Sequence, residues 1–323
     1  MSGVSDSFQR PINYLRISVT DRCNLRCVYC APAGNIHHIP HNEMLTYEEI
    51  SVVTQTAAEL GISKVRLSGG EPLFRADVAK LIHMLGQVPG LEEISLTTNG
   101  VLLQHHAAEL KQAGLQRINV SLDTLNREKF QQITGLAKLD QVLEGINAAN
   151  KAGLQPVKVN MVVIGGLNDN EVAEFARLTR DDGWHVRFIE LMPFGETHLQ
   201  FIGLEDIMCR IKPLGNLSPC SAPKGNGPAK YYRFDGATGT LGFITPISRH
   251  FCFQCNRLRL TANGKLLPCL MSENGVDLLP SLRNGAQPTE LKQYINQAIA
   301  SKPKGHQINR GIHTSNTMSL IGG

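Results

Sequence analysis

Six short strand-like runs, Tyr14 to Val19, Lys64 to Leu67, Glu93 to Thr97, Arg117 to Leu122, Val157 to Val163 and His185 to Leu191, occupy the first two thirds of the chain, with helical patterns between most of them. This rhythm constrains the fold more than any other feature, because strands alternating with helices build a parallel sheet through right-handed crossovers. Several helices are legible individually. Thr46 and Glu49 form a capping box ahead of Ile50, Val53 and Ala57, and Gly61 stands where a carboxy-terminal cap belongs. Val78, Leu81, Ile82 and Leu85 share one helical face, as do Val142, Ile146 and Ala149 in a helix ending at Gly153. Six units are too few for a closed eight-stranded barrel. The pattern therefore predicts an α/β fold built on an open, partial (β/α)6 barrel with its chemistry at the carboxy ends of the strands. A doubly wound sheet is the second architecture that this rhythm permits.

The rhythm breaks after Phe194. Gly203 to Pro213 reads as a helix, Pro219 to Pro228 as a Pro/Gly-rich loop, and Lys230 to Leu270 as antiparallel strands with Asn263-Gly264 as a two-residue hairpin turn. A last helix around Thr289 to Ala300 precedes the tail Ser301 to Gly323, which has no apolar period. The expected organisation is a barrel over residues 1–200 and a smaller carboxy-terminal antiparallel β/α unit over 201–323. The segment Met1 to Arg10 is polar and no apolar run is long enough to span a bilayer, so the chain reads as cytoplasmic, without a membrane partner. A formal net charge of +4 without a basic block argues against nucleic acid and suits a small anionic substrate.

Eight cysteines in such a chain favour metal or redox chemistry over disulfides, and six of them form two groups of three. Cys23, Cys27 and Cys30 lie in Cys-Asn-Leu-Arg-Cys-Val-Tyr-Cys directly after the first strand. Iron–sulfur clusters normally take four cysteine ligands, so three leave one iron with an open position. A zinc site would instead draw a fourth ligand from His37, His38 or His41. Ser68-Gly69-Gly70-Glu71-Pro72 follows the second strand, where two glycines allow close approach of backbone to a ligand. The second group is Cys252, Cys255 and Cys269. A two-residue turn at Asn263-Gly264 sets Cys269 opposite Leu258, so that local bending is needed to gather all three cysteines. If Cys209 or Cys220 completed the set, this would be a closed zinc or electron-relay site. Between the pair and the third cysteine, strand alternation puts Arg257 and Arg259 on one face. Arg16, Arg66, Lys158 and Arg187 each stand between apolar neighbours within strands, and Lys64 shares a face with Arg66. One buried arginine is usually paired with a carboxylate such as Glu190, whereas several lining one barrel would bind a triphosphate. No Gly-x-x-x-x-Gly-Lys-[Ser/Thr] occurs, so such a nucleotide is not held by a P-loop.

The first three-Cys loop with Tyr29 between its last two cysteines, followed one βα unit later by Gly-Gly-Glu-Pro, resembles the radical S-adenosylmethionine (SAM) superfamily. Both three-Cys groups, Asn-Arg-Leu-Arg-Leu after Cys255, the run Val186 to Pro193 and the terminal Gly-Gly are similar to the GTP 3′,8-cyclase family, which begins molybdenum-cofactor synthesis. The similarity runs from about Tyr14 to Gly323. It implies two 4Fe-4S clusters, on Cys23, Cys27 and Cys30 and on Cys252, Cys255 and Cys269, with SAM as cosubstrate. SAM contacts carry over to Tyr29, Gly70, Ser121 and Met192. GTP contacts carry over to Arg16, Arg66, Thr97, Lys158, Arg257 and Arg259, with Lys64 and Arg187 added and Leu258 contributing backbone or packing. In that family an electron from the first cluster splits SAM, the resulting radical takes hydrogen from C3′ of GTP, and the carbon radical attacks C8. The second cluster binds the guanine, and Gly322-Gly323 reaches into the active site as a catalytic tail. The resemblance further implies an electron donor, a downstream cyclic pyranopterin monophosphate synthase and a homodimer. Two other readings are a radical SAM peptide-modifying enzyme with an auxiliary cluster, whose second half usually carries more cysteines, and a non-enzymatic iron–sulfur or zinc protein.

Overall fold

The computed structural model describes residues 3–30, 38–194, 198–306 and 318–322. β1 (Tyr14–Ser18), β2 (Lys64–Ser68), β3 (Glu93–Thr98), β4 (Arg117–Ser121), β5 (Lys158–Gly165) and β6 (His185–Glu190) pair consecutively, and every pairing is parallel. The connections carry α1 (Tyr47–Glu59), α2 (Val78–Gly86), α3 (Leu103–Gln112), α4 (Arg127–Thr134) with α5 (Leu139–Lys151), and α6 (Val172–Asp181). The capping box is formed: Thr46 Oγ1 accepts from Glu49 N at 3.1 Å, and Glu49 Oε2 accepts from Thr46 N at 2.7 Å. No helix among the described residues is long and apolar enough to cross a membrane.

The last third of the chain does not form a sheet of its own. After β7 (Gln200–Phe201), which pairs with β5, and α7 (Leu204–Ile211), the strands are β8 (Leu217–Pro219), β9 (Lys230–Phe234), β10 (Thr240–Ile244), β11 (Arg257–Leu260), β12 (Lys265–Leu267) and β13 (Val276–Asp277). β10 adds parallel to β6 with β9 and β8 antiparallel outside it, while β11 adds parallel to β1 with β12 and β13 antiparallel outside it. The sheet order is β13-β12-β11-β1-β2-β3-β4-β5-β6-β10-β9-β8, an open barrel extended at both edges by antiparallel hairpins. α8 (Leu279–Arg283), α9 (Pro288–Ala300) and α10 (Met318–Ile321) complete the chain.

Strand alternation divides the two faces. Leu15, Ile17, Val65, Leu67, Ile94, Leu96, Ile118, Val120, Val159, Met161, Val186, Phe188, Leu258 and Leu260 belong to one continuous core beneath the helices. The opposite face carries polar residues, whereas strands of most parallel sheets are apolar on both sides. Register stacks these polar residues in layers. Arg259, Arg16, Arg66, Ser95 and Arg117 are successive neighbours across five strands. Thr97, Asn119, Lys158 and His185 form another such row.

The hairpin between β11 and β12 departs from the two-residue turn. Arg259 pairs with Leu267, Leu260 with Leu266, and Thr261 N donates to Lys265 O at 2.9 Å, leaving the three-residue loop Ala262-Asn263-Gly264. Gly264 has φ +85°, the left-handed position that such a loop requires. A one-residue change of register moves every side chain to the other face. Continued in this register Cys269 would lie opposite Arg257 rather than Leu258, on the side of Cys255, but the ladder ends at Arg259 and Leu267 and the chain bends at Pro268 and Cys269.

Candidate active site

The first cysteine loop is built where β1 ends. Val19 N donates to Ser68 O at 2.9 Å, Gly70 N to Thr20 O at 2.7 Å and Glu71 N to Arg22 O at 2.8 Å, so the Gly-Gly-Glu-Pro turn lies flat against the backbone leading into Cys23. A Cβ on Gly69 would stand 2.4 Å from Thr20 O, and one on Gly70 2.2 Å from Arg22 O. The glycines serve the close approach of two protein loops, and the N–H groups of Gly70 and Glu71 are used there. Glu71, 1% exposed, accepts from Leu73 N, Thr98 Oγ1 and Asn99 N at 2.9, 2.7 and 2.7 Å, while burial pushes its carboxyl up to about 7. Farther along, Arg26 N and Val28 N donate to the carbonyls of Thr134 and Ile133 at 2.8 and 2.9 Å, capping the end of α4. Tyr29 donates its hydroxyl to Asp123 Oδ2 at 2.6 Å, tying the loop to the segment after β4.

Both cysteine groups line one cavity of about 310 Å³. They sit at opposite ends of it: Cys23 follows the carboxy end of β1, whereas Cys255 precedes β11, whose Arg257 pairs with the first residue of β1. Five strand residues between these levels correspond to about 17 Å. No three His, Cys, Asp or Glu side chains among the described residues converge closely enough for a single metal ion. Three thiols at each end of the cavity are a donor set of the kind that an iron–sulfur cluster with one open iron would take. His37 lies outside the described residues, and His38 Nδ1 is 3.3 Å from Asp21 Oδ2. Cys209 is exposed on α7, Cys220 follows β8, and neither is among the lining residues.

The two thiol groups differ electrostatically. Burial and the neighbouring Cys30 push Cys27 well above the ordinary thiol range, and burial with Cys23 and Asp123 takes Cys30 up to about 12. In the second group burial also raises Cys255, but Arg257 and Lys302 outweigh it and bring this thiol down to about 6. The first group thus depends on a bound cation to ionise it, whereas in the second protein cations already do so for Cys255, while burial raises Cys252.

Between the two ends lie the polar layers. Arg16, Arg66, Thr97, Ser121, Lys158, Arg187, Arg257 and Arg259 line the cavity, with Tyr29, Gly70 and Met192. Burial, then Arg259 and Arg66, hold Arg16 well below the usual guanidinium range; burial takes Arg187 and Arg259 to about 10. Lys158 is pushed down to about 6 by burial first, then by Arg187, Arg117 and Arg66, and its Nζ donates to Pro223 O at 3.0 Å and Lys224 O at 2.7 Å. Glu190 does not pair with Arg187: it accepts from the backbone of Leu204, Ile247 and Ser248. Lys64 stands one layer below Arg66, beside Tyr14 and Glu93, and does not line the cavity. Leu258 is fully buried on the opposite, apolar face.

Some cavity residues escaped the sequence. Arg117, 2% exposed, pairs with Glu93 and lines the cavity. It stands at the start of β4 next to Gln116, so it lacks the two apolar neighbours that marked the other basic residues. Tyr14 and Tyr231 are also lining residues, the former under the Arg66 guanidinium at 5.8 Å and the latter under Lys158 Nζ at 5.6 Å. The tail, which shows no apolar period in sequence, ends in a turn of helix whose Ile321 is fully buried in a small cluster with Phe194 and Leu267. Arg259 Nη1 donates to Gly322 O at 2.6 Å, and Gly323 lies outside the described residues.

Residues 17–179 match the family model described as Radical SAM superfamily, and residues 184–308 match Molybdenum Cofactor Synthesis C. The GTP 3′,8-cyclase of Moorella thermoacetica is 48% identical over 323 residues, covering 99% of this chain and 100% of its own. The chain belongs to the GTP 3′,8-cyclase family of the radical SAM superfamily. Another relative in the family, from Pelotomaculum thermopropionicum, is 49% identical over 325 residues, again covering 99% and 100%. Among solved structures, Streptococcus suis SuiB aligns with a TM-score of 0.63 at 14% identity over 97% of this chain and 76% of that one. Its S-adenosylmethionine-bound form gives 0.60 at 15% identity over 87% and 68%. These likenesses speak to the fold.

Proposed function

We propose that the protein is a radical SAM lyase that cyclises GTP to (8S)-3′,8-cyclo-7,8-dihydroguanosine 5′-triphosphate, the first step of molybdenum-cofactor biosynthesis. The observation that supports this most is a single cavity with three cysteines at each end and, between them, a row of arginines of which Arg66, Arg117 and Arg259 are buried and Arg16 half-buried. Cys23, Cys27 and Cys30 would hold the cluster that coordinates SAM, and Cys252, Cys255 and Cys269 a second 4Fe-4S cluster at the guanine end. When loaded, the first centre supplies one-electron cleavage of SAM and the second an open iron. Asn99 Nδ2, 3.8 Å from Cys23 Sγ, and Leu25 N, 3.4 Å from it, orient one thiolate of the first set. The Tyr29 loop, Gly70, Ser121 and Met192 would seat SAM at the carboxy ends of the strands. Arg16, Arg66, Thr97, Lys158, Arg187, Arg257 and Arg259 would neutralise the triphosphate, while Lys64 and Leu258 act from behind them. Held this way, C3′ and C8 of one nucleotide react without a bimolecular encounter, and burial keeps water from the carbon radical. Gly322 and Gly323 would act as a catalytic tail that assists the radical step.

The reaction needs a one-electron reductant; the reading also carries a downstream cyclic pyranopterin monophosphate synthase that would consume the product, a cytoplasmic setting and a homodimer. Anaerobic reconstitution should yield about eight irons per chain on a four-iron cluster count, and GTP and SAM should be consumed together. SAM cleavage with GTP left intact would remove the proposal. Cys269→Ala should keep slow SAM cleavage while ring closure is lost, and unchanged product formation would exclude the second set from the reaction.

A further inference from the structure

Lys302 follows α9 and belongs to none of the barrel's cation rows, yet it is 3% exposed. Its Nζ donates to Arg257 O and to Pro268 O, each at 2.7 Å. These carbonyls stand where β12 leaves β11. The strand ladder runs as far as Arg259 and Leu267, and beyond it two facing carbonyls share one ammonium in place of a rung. Both belong to ligand segments, since Arg257 is two residues past Cys255 and Pro268 precedes Cys269. Arg10 holds the remaining segment: its Nη1 donates to Cys252 O at 2.6 Å and its Nη2 to Pro303 O at 2.7 Å.

The two cations differ in their counter-charge. Arg10 pairs with Asp6 at 2.5 Å, whereas the carboxylate ion pairs of the described residues do not include Lys302. A buried ammonium bonded only to carbonyls keeps an uncompensated charge, which is costly unless an anion faces it. Lys302 lines the cavity alongside Cys252, Cys255 and Cys269, so the anion available to face it is one held by that thiol set.

We propose that Lys302 is a positioning residue of the second centre, clamping the segments of Cys255 and Cys269 in one register and supplying the charge that balances an anionic thiolate-ligated cluster there. The inference rests on reading Cys252, Cys255 and Cys269 as an iron–sulfur ligand set. Reduction adds negative charge to such a cluster, so a fixed cation beside it raises its reduction potential.

The test uses the reconstituted full chain, with Lys302→Gln and Lys302→Arg beside wild type, read by iron content and by redox titration followed with electron paramagnetic resonance, with and without GTP. Wild type should show two cluster signals, of which GTP perturbs one. A wild type with a single cluster removes the ligand-set reading and the proposal with it. With two clusters present, Lys302→Gln should shift the GTP-responsive signal to lower potential and leave the other unmoved, while Lys302→Arg stays closer to wild type. Wild-type potentials in a fully loaded Lys302→Gln, or equal shifts in both variants, overturn the proposal. If Lys302→Gln takes up no second cluster, normal loading of Lys302→Arg supports it and equal failure of Lys302→Arg overturns it.

Discussion

At the scale of single residues, the row Arg259-Arg16-Arg66-Ser95-Arg117 carries the argument, because it places like charges on adjacent strands in a buried layer. Two unit charges about 4.8 Å apart repel by on the order of 3 kcal/mol at an effective dielectric constant of about 20. Such a row is unfavourable in the empty cavity and becomes favourable when a polyanion accepts from several guanidiniums at once. Replacing Arg66 by Met, which keeps packing against Tyr14 but removes the charge, should raise the thermal midpoint of the ligand-free protein. The same change should weaken GTP binding by about 1.5–3 kcal/mol, the worth of a charge-assisted hydrogen bond. A lower midpoint with an unaltered GTP dissociation constant would show that Arg66 is only structural. Most of this row was legible from strand alternation, but Arg117 was not, because its preceding neighbour is polar.

At the scale of elements, the tail and the three-residue hairpin decide what reaches the cavity. Gly322 has φ +72°, and a Cβ there would lie 2.3 Å from Ser68 Oγ. Gly322→Ala combines this clash with left-handed strain of about 1–2 kcal/mol, so docking of the tail should weaken by about 5- to 30-fold. Product formation should fall accordingly while SAM cleavage persists; wild-type turnover would deny the tail any part in the reaction. Gly70→Ala meets backbone rather than a side chain, at Arg22 O, and should lower the iron held by the first cysteine group, which iron analysis reports directly. The six barrel strands and the α1 cap follow from local periodicity. The hairpin register does not, since Asn263-Gly264 fits a two-residue or a three-residue loop, and the Arg259–Leu267 pairing together with packing of Gly264 against Leu279 selects the latter.

At the scale of the whole molecule, charge burial couples folding and binding to pH. The folded-state pKa of Lys158, about 6, lies below its ordinary 10.5, so the folded chain binds fewer protons than the unfolded chain between these values. Stability of the ligand-free protein should therefore rise with pH across that window through this group. A bound triphosphate restores the charge, so GTP binding above pH about 6 should take up a proton and weaken as pH rises. Calorimetry in buffers of different ionisation heat reads the uptake directly, and uptake undiminished in Lys158→Met would assign the proton to another group. The sequence alone determined the strand–helix order, the two cysteine triplets and the polar faces of the strands, because each depends on spacing of a few residues. Only tertiary structure decided that β10 and β11 join opposite edges of one sheet and that Lys302 enters the second cysteine group. The same holds for the seating of the tail on Arg259. Those partners are distant along the chain, so their meeting depends on how the sheet curls, to which no local period is sensitive.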